Sequence, residues 1–124
     1  VTDVTGFGLA GHLLEICRAS GVAAKLSFDA LPLLPNVMSY ARDGFVTGAS
    51  SRNLASYGNQ LTVDGRFGDT ERMLLADPQT SGGLLVSCAP DVATEVLSIF
   101  LQQGFDHATV IGEVVEGEPQ VLVS

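Results

Sequence analysis

Asp3 stands in the run Thr2-Asp3-Val4-Thr5-Gly6-Phe7-Gly8, a carboxylate just ahead of two glycines and an apolar series with helical spacing. Carboxylate oxygen is the ligand type that Mg²⁺ takes, with phosphate oxygens and water completing its shell. A helix start adds free N–H groups and a partial positive charge that suit the same phosphates. Asp3 is therefore a candidate metal ligand, and Thr5, Gly6 and Gly8 are candidate phosphate-binding residues. The same spacing fits a plain helix cap supplied by Asp3 or Thr5. The glycines alone carry little: no third glycine follows at dinucleotide-binding spacing, and no Gly-Lys-Ser/Thr phosphate loop occurs in the chain.

A second group is Thr80-Ser81-Gly82-Gly83, two hydroxyls beside two small residues that let the backbone come close to an anion. Its composition also describes a tight entry into a buried strand. The preceding Asp77-Pro78 offers a second carboxylate or a common turn opener. Arg52, beside Asn53 in Ser50-Ser51-Arg52-Asn53, brings a guanidinium that can grip phosphate bidentately, although an exposed surface arginine is the commoner outcome. His12, on the polar side of the first helix, and His107, in a loop, read as solvated or structural. Cys17 and Cys88 have apolar neighbours and no second ligand at metal spacing, so both read as small buried hydrophobes.

These residues need elements to hold them. Leu9, Leu13, Ile16 and Cys17 mark one face of an amphipathic helix that Gly21 caps. Ala24 to Phe28 alternates as a strand, Pro32 and Pro35 flank a bend, and Asn36 to Arg42 forms a short helix stopped by Gly44. Thr47 to Gly68, rich in glycine and serine, reads as an irregular connection. Thr70 to Ala76 gives a helical turn or two before a buried strand over Leu84 to Cys88. Pro90 opens a helix whose dry side includes Val92, Val96, Ile99 and Phe100. Thr109 to Val115 and Gln120 to Val123 read as a closing hairpin around Glu116-Gly117-Glu118-Pro119. The order predicts an α+β fold, a central mixed or antiparallel sheet with helices packed on it.

With 124 residues, 46% hydrophobic and 16% charged, residues 1–124 suffice for a single globular domain. A net charge of −8 repels a nucleic-acid backbone, which excludes that partner, while a small polyanion such as ATP remains compatible through metal ions and local N–H groups. No membrane-length apolar run, signal peptide or disulfide framework is present, and the cytoplasm is the expected location. Val1 stands where an initiator Met would, and the chain enters a helix start with no strand leading in, so a piece of a longer protein is expected. Apolar surface that a neighbour would cover is then expected to be exposed.

Thr2 to Leu9 with Gly11-His12-Leu13, Phe45-Val46-Thr47-Gly48 with Arg52-Asn53, and Asp77 to Leu85 together resemble the C-terminal half of bacterial selenophosphate synthetases. The resemblance runs from Val1 to the final strands. It implies membership of the aminoimidazole ribonucleotide (AIR) synthetase superfamily, in which an N-terminal domain dimerises and holds most of the ATP site while a C-terminal domain completes it. It further implies the reaction of ATP, selenide and water to selenophosphate, AMP and phosphate, with Mg²⁺ and usually K⁺, in a homodimer. Asp3 matches the family's C-terminal metal aspartate, and the Thr80 to Gly83 loop, Arg52 and Asn53 are placed near the interdomain cleft. The essential Cys or selenocysteine and Lys belong to the N-terminal domain, so this chain holds no catalytic residue of its own and is inactive alone. Two other readings stay open: another ATP-dependent enzyme of the superfamily, and a non-catalytic binding or assembly module.

Overall fold

A computed structural model describes all 124 residues. The chain opens with a short strand, β1 (Thr2–Asp3), and enters helix α1 (Gly8–Ser20). The lead-in strand that the sequence appeared to lack is thus Thr2–Asp3 itself. Helix α1 buries Ala10, Leu13, Leu14 and Cys17, and Gly21 ends it in the left-handed conformation (φ 64°), its N–H donating to the Cys17 carbonyl. Strand β2 (Ala23–Leu26) and a 3-10 turn (Phe28–Ala30) follow, then α2 (Val37–Arg42).

The segment expected to be irregular contains α3 (Gly48–Tyr57), a 3-10 turn (Gly58–Gln60) and strand β3 (Leu61–Val63). Thr47 caps α3, its hydroxyl accepting from the Ser50 N–H at 3.3 Å. The inward face of α3 is Ser50, Asn53, Leu54 and Tyr57, a helical period in which hydrogen-bonding residues replace apolar ones. Helix α4 (Asp69–Leu75) comes next, with Glu71 accepting from the Gly68 N–H at 2.8 Å. Strand β4 is limited to Leu84–Leu85, far shorter than the buried run expected, and Leu84 is 61% exposed. Helix α5 (Ala93–Gln102), β5 (Gly112–Val115) and β6 (Val121–Val123) complete the chain.

The main sheet has the order β3-β6-β2-β5, with β6 parallel to β2 and β3, and β5 antiparallel to β2. The expected closing hairpin therefore does not form: β2 lies between β5 and β6. The mixed α+β architecture stands, because α1 packs on β2 and β6 and its Leu14 and Cys17 share one core with Leu26, Leu75 and Val121. Burying these side chains contributes about 1.5–3 kcal/mol each for the larger ones.

Helix α5 departs from expectation. None of its residues is buried, and Ile99 is 53% exposed. Between α5 and the rest of the domain lies a largely apolar cleft of about 1770 Å³, lined by Leu9, Leu13, Val96, Phe100, Ile111 and others. Cys17 is fully buried as expected, but Cys88 is exposed, because the chain leaves the sheet after Leu85. Exposed apolar side chains include Leu34, Phe45, Phe105 and Val110, in keeping with the expected uncovered surface.

Candidate functional site

The two motifs farthest apart in the sequence meet in a two-stranded ladder. Strand β1 pairs antiparallel with β4, setting Thr2 opposite Leu85 and Asp3 opposite Leu84. The Val4 N–H donates to the Gly83 carbonyl at 2.9 Å, and the Gln79 N–H donates to the Thr5 carbonyl at 3.0 Å. The Thr80 to Gly83 loop is thereby strapped along the Asp3 to Thr5 segment at both of its ends.

The glycines divide by what surrounds them. A Cβ on Gly82 would sit 1.8 Å from the Val4 carbonyl oxygen, so this glycine permits the two segments to touch. Gly8 has φ +72°, and a Cβ there would lie 2.6 Å from the Ala76 carbonyl carbon, which brings α1 against the end of α4. Gly6 and Gly83 have no such reason: each would place a Cβ in open space, and neither has a positive φ. Packing explains Gly8 and Gly82, whereas Gly6 and Gly83 present bare backbone on an exposed surface.

Helix α3 locks this arrangement from below. Asn53 Nδ2 donates both protons, to the Gly6 carbonyl and to the Ala76 carbonyl, each at 2.9 Å. Tyr57 donates its hydroxyl to the Phe7 carbonyl, and Ser50, fully buried, donates to Asp77 Oδ1 at 3.1 Å. The other Asp77 oxygen accepts from Gln79 Nε2 at 3.1 Å. The Asp77 carboxylate is therefore engaged within the fold, and Asn53 has only Oδ1 left for a ligand. Desolvation pushes the Tyr57 hydroxyl up to about 12, against a smaller opposing effect of the Gly11 backbone hydrogen bond. Sequence reading missed Ser50 and Tyr57; the 50, 53, 54, 57 spacing was the signal that would have found them.

The remaining candidates are outward. Asp3 is exposed, and no ion pair or side-chain hydrogen bond engages its carboxylate. Thr80 and Ser81 are exposed with free hydroxyls, and Arg52, one residue before Asn53, is exposed without an ion pair. His12 is buried on α1 rather than solvated, its Nε2 lying 3.1 Å from Thr5 Oγ1 and its ring 5.7 Å from that of Phe7. His107 is exposed, as expected of a loop residue. Burial pushes the Cys17 thiol up, more than its backbone hydrogen bond lowers it, which keeps it protonated and inert.

No three His, Cys, Asp or Glu side chains of this chain gather as a metal-binding group. A single free carboxylate suits Mg²⁺, which takes one or two protein carboxylates and completes its shell with phosphate and water. Neither the α5 cleft nor the smaller hollow of about 410 Å³ beside Phe28 and Phe67 takes in Asp3, Thr5, Thr80 or Ser81. These four residues are exposed, whereas Gly82 and Gly83 of the same ladder line the α5 cleft.

A family model described as AIR synthase related protein, C-terminal domain, matches residues 1–124. Curated relatives include the selenide, water dikinase of Dechloromonas aromatica (strain RCB), 56% identical over 123 residues, which are 99% of this chain and 35% of that protein. Those of Paraburkholderia xenovorans (strain LB400) and Pseudomonas straminea are 51% and 50% identical over 99% of this chain, and 35% and 34% of their own length. The chain thus spans about a third of the length of the curated relatives it matches. No helix is long and apolar enough to cross a membrane.

Proposed function

Because this chain belongs to the family of AIR synthase related protein C-terminal domains, we propose that it is the C-terminal portion of a selenide, water dikinase. The full-length protein would convert ATP, selenide and water to selenophosphate, AMP and phosphate. One phosphoryl group passes to selenium and another to water, so two P–O bonds break and one P–Se and one P–O bond form. The observation that carries the site is the pairing of Asp3 with Leu84, which sets a free carboxylate beside the end of the Thr80 to Gly83 loop.

Asp3 would hold Mg²⁺ together with ligands from the rest of the protein; the ion, when bound, neutralises charge on the phosphate oxygens. The bare backbone at Gly6 and Gly83 lets phosphate oxygens approach without a side chain in the way. Thr80 and Ser81 hydroxyls and the unpaired Arg52 guanidinium are donors for the same oxygens. Asn53 serves mainly as a clamp, its amide holding the Gly6 and Ala76 carbonyls together. The outward groups work only when another domain closes over them, which fits a chain covering about a third of its relatives.

The test is Asp3→Ala in the full-length protein. Mg²⁺-dependent ATP turnover should fall at least a hundredfold, the order seen when one electrostatic stabiliser is lost, while circular dichroism and melting stay at wild-type values. Undiminished turnover would refute the metal assignment.

A further inference from the structure

His12 has no place in the site as expected from the sequence, yet it is 7% exposed and its Nδ1 is buried without a hydrogen-bond partner. A buried polar nitrogen left unmatched needs a reason. Glu15, one turn along α1, holds Oε2 3.5 Å from that nitrogen, and its side chain is 56% exposed and free to move closer. On the opposite edge of the ring, Nε2 meets Thr5 Oγ1 at 3.1 Å. The result is a line of three groups, Glu15, His12 and Thr5, that runs from solvent through the domain to the exposed loop.

We propose that His12 is a positioning residue that fixes the polarity of the Thr5 hydroxyl. A carboxylate beside Nδ1 favours a proton on that nitrogen, since a bare lone pair would face negative charge. A neutral ring protonated on Nδ1 has a bare Nε2, which can only accept. Thr5 has one hydroxyl proton, and it is committed to His12. The outward side of Thr5 Oγ1 then offers lone pairs alone. It accepts from a donor, such as water on a bound Mg²⁺, and does not donate to a bare phosphate oxygen. This assigns Thr5 to the ion's hydration shell and leaves phosphate contact to Thr80, Ser81 and the glycine backbone. The ligand half of this inference rests on the proposed Mg²⁺ and ATP site; the ring's tautomer does not.

Two measurements on the full-length protein test it. Nitrogen-15 shifts of selectively labelled histidine, with His12→Gln used for assignment, should show the His12 ring neutral with Nδ1 protonated and Nε2 bare. A ring protonated on Nε2 overturns the proposal whether or not any ligand binds. Calorimetric titration of Mg²⁺ in the presence of a non-hydrolysable ATP analogue supplies the second readout. Thr5→Val and His12→Leu should each weaken Mg²⁺ binding by roughly two- to tenfold, the value of one hydrogen bond, and the double variant no more than either. His12→Gln, whose carbonyl oxygen can still accept from Thr5, should restore most of the loss. Equal loss in His12→Leu and His12→Gln, or full additivity in the double variant, overturns the proposal. Failure of the site reading looks different: wild-type protein would bind neither Mg²⁺ nor the analogue, with the tautomer unchanged.

Discussion

Gly82→Ala is the sharpest perturbation of this domain. The new Cβ would stand 1.8 Å from the Val4 carbonyl oxygen and 2.9 Å from Gln79 Cβ, where no real contact comes under 3.0 Å. Val4 O is backbone, so the segments must separate by more than an ångström. The neighbouring bond from the Val4 N–H to the Gly83 carbonyl, now 2.9 Å, then passes beyond hydrogen-bonding range, and the Gln79 to Thr5 bond at 3.0 Å goes with it. At about 1 kcal/mol for each bond the ladder loses about 2 kcal/mol, a factor of roughly 30 in local opening. Amide hydrogen exchange resolved at Val4 and Gln79 measures this directly and should accelerate by that factor. Gly83→Ala is the matched control: its Cβ meets nothing within 4 Å, so exchange at both amides should stay at wild-type rates. In the full-length protein Gly83→Ala should nonetheless weaken ATP binding, since the added methyl occupies the approach to the backbone. Unchanged exchange in Gly82→Ala, or equal acceleration in Gly83→Ala, would refute the division of the glycines into packing and access roles.

Asn53→Ala removes the donor to both the Gly6 and Ala76 carbonyls and should cost about 1–3 kcal/mol in urea denaturation, whereas Asn53→Asp, which keeps the size but lacks the amide protons, should cost at least as much. Tyr57 gives an alkaline signature. Its folded-state value of about 12 lies above the ordinary 10.0, so the fold favours the neutral phenol. That contribution is fully present below pH 10.0 and is lost as pH rises towards about 12. Denaturation across the alkaline range should show a fall in wild type that Tyr57→Phe largely removes, and the variant should be about 1 kcal/mol less stable at neutral pH from the lost bond to Phe7.

The sequence carried α1 and β2 well, because Leu13, Cys17 and Gly21 state an amphipathic helix and its stop in the usual alphabet of apolar spacing and glycine. Helix α3 was hidden for the opposite reason. Its buried face is written in Ser50, Asn53 and Tyr57, residues that earn burial through hydrogen bonds to Asp77, Gly6, Ala76 and Phe7. The spacing at 50, 53, 54 and 57 has the helical period, but those partners are distant in the chain, so the spacing cannot say what its polar residues bind. The false hairpin has a similar source: the turn residues between β5 and β6 are real, but which strand lies between the two is a tertiary fact. At the site, composition could find the glycines but could not sort them. Only the approach of Val4 to Gly82 and of Ala76 to Gly8 separates glycines that permit packing from those that leave backbone open. Of the two roles open to His12, solvated or structural, the structure gives the second, because the Thr5 loop folds over it.

The position of β6 has a consequence for how the domain comes into being. Residues 121–123 form an interior strand, bonded to β3 on one side and β2 on the other, with Val121 and Val123 nearly inaccessible to water. Strands β2 and β3 are synthesised long before it and have no direct bond to each other, so they must wait on the ribosome without the strand that joins them. A nascent chain stalled short of Val121 would carry its helices but no strand bridging β2 and β3, so the four-stranded sheet should close only once residues 121–123 clear the exit tunnel.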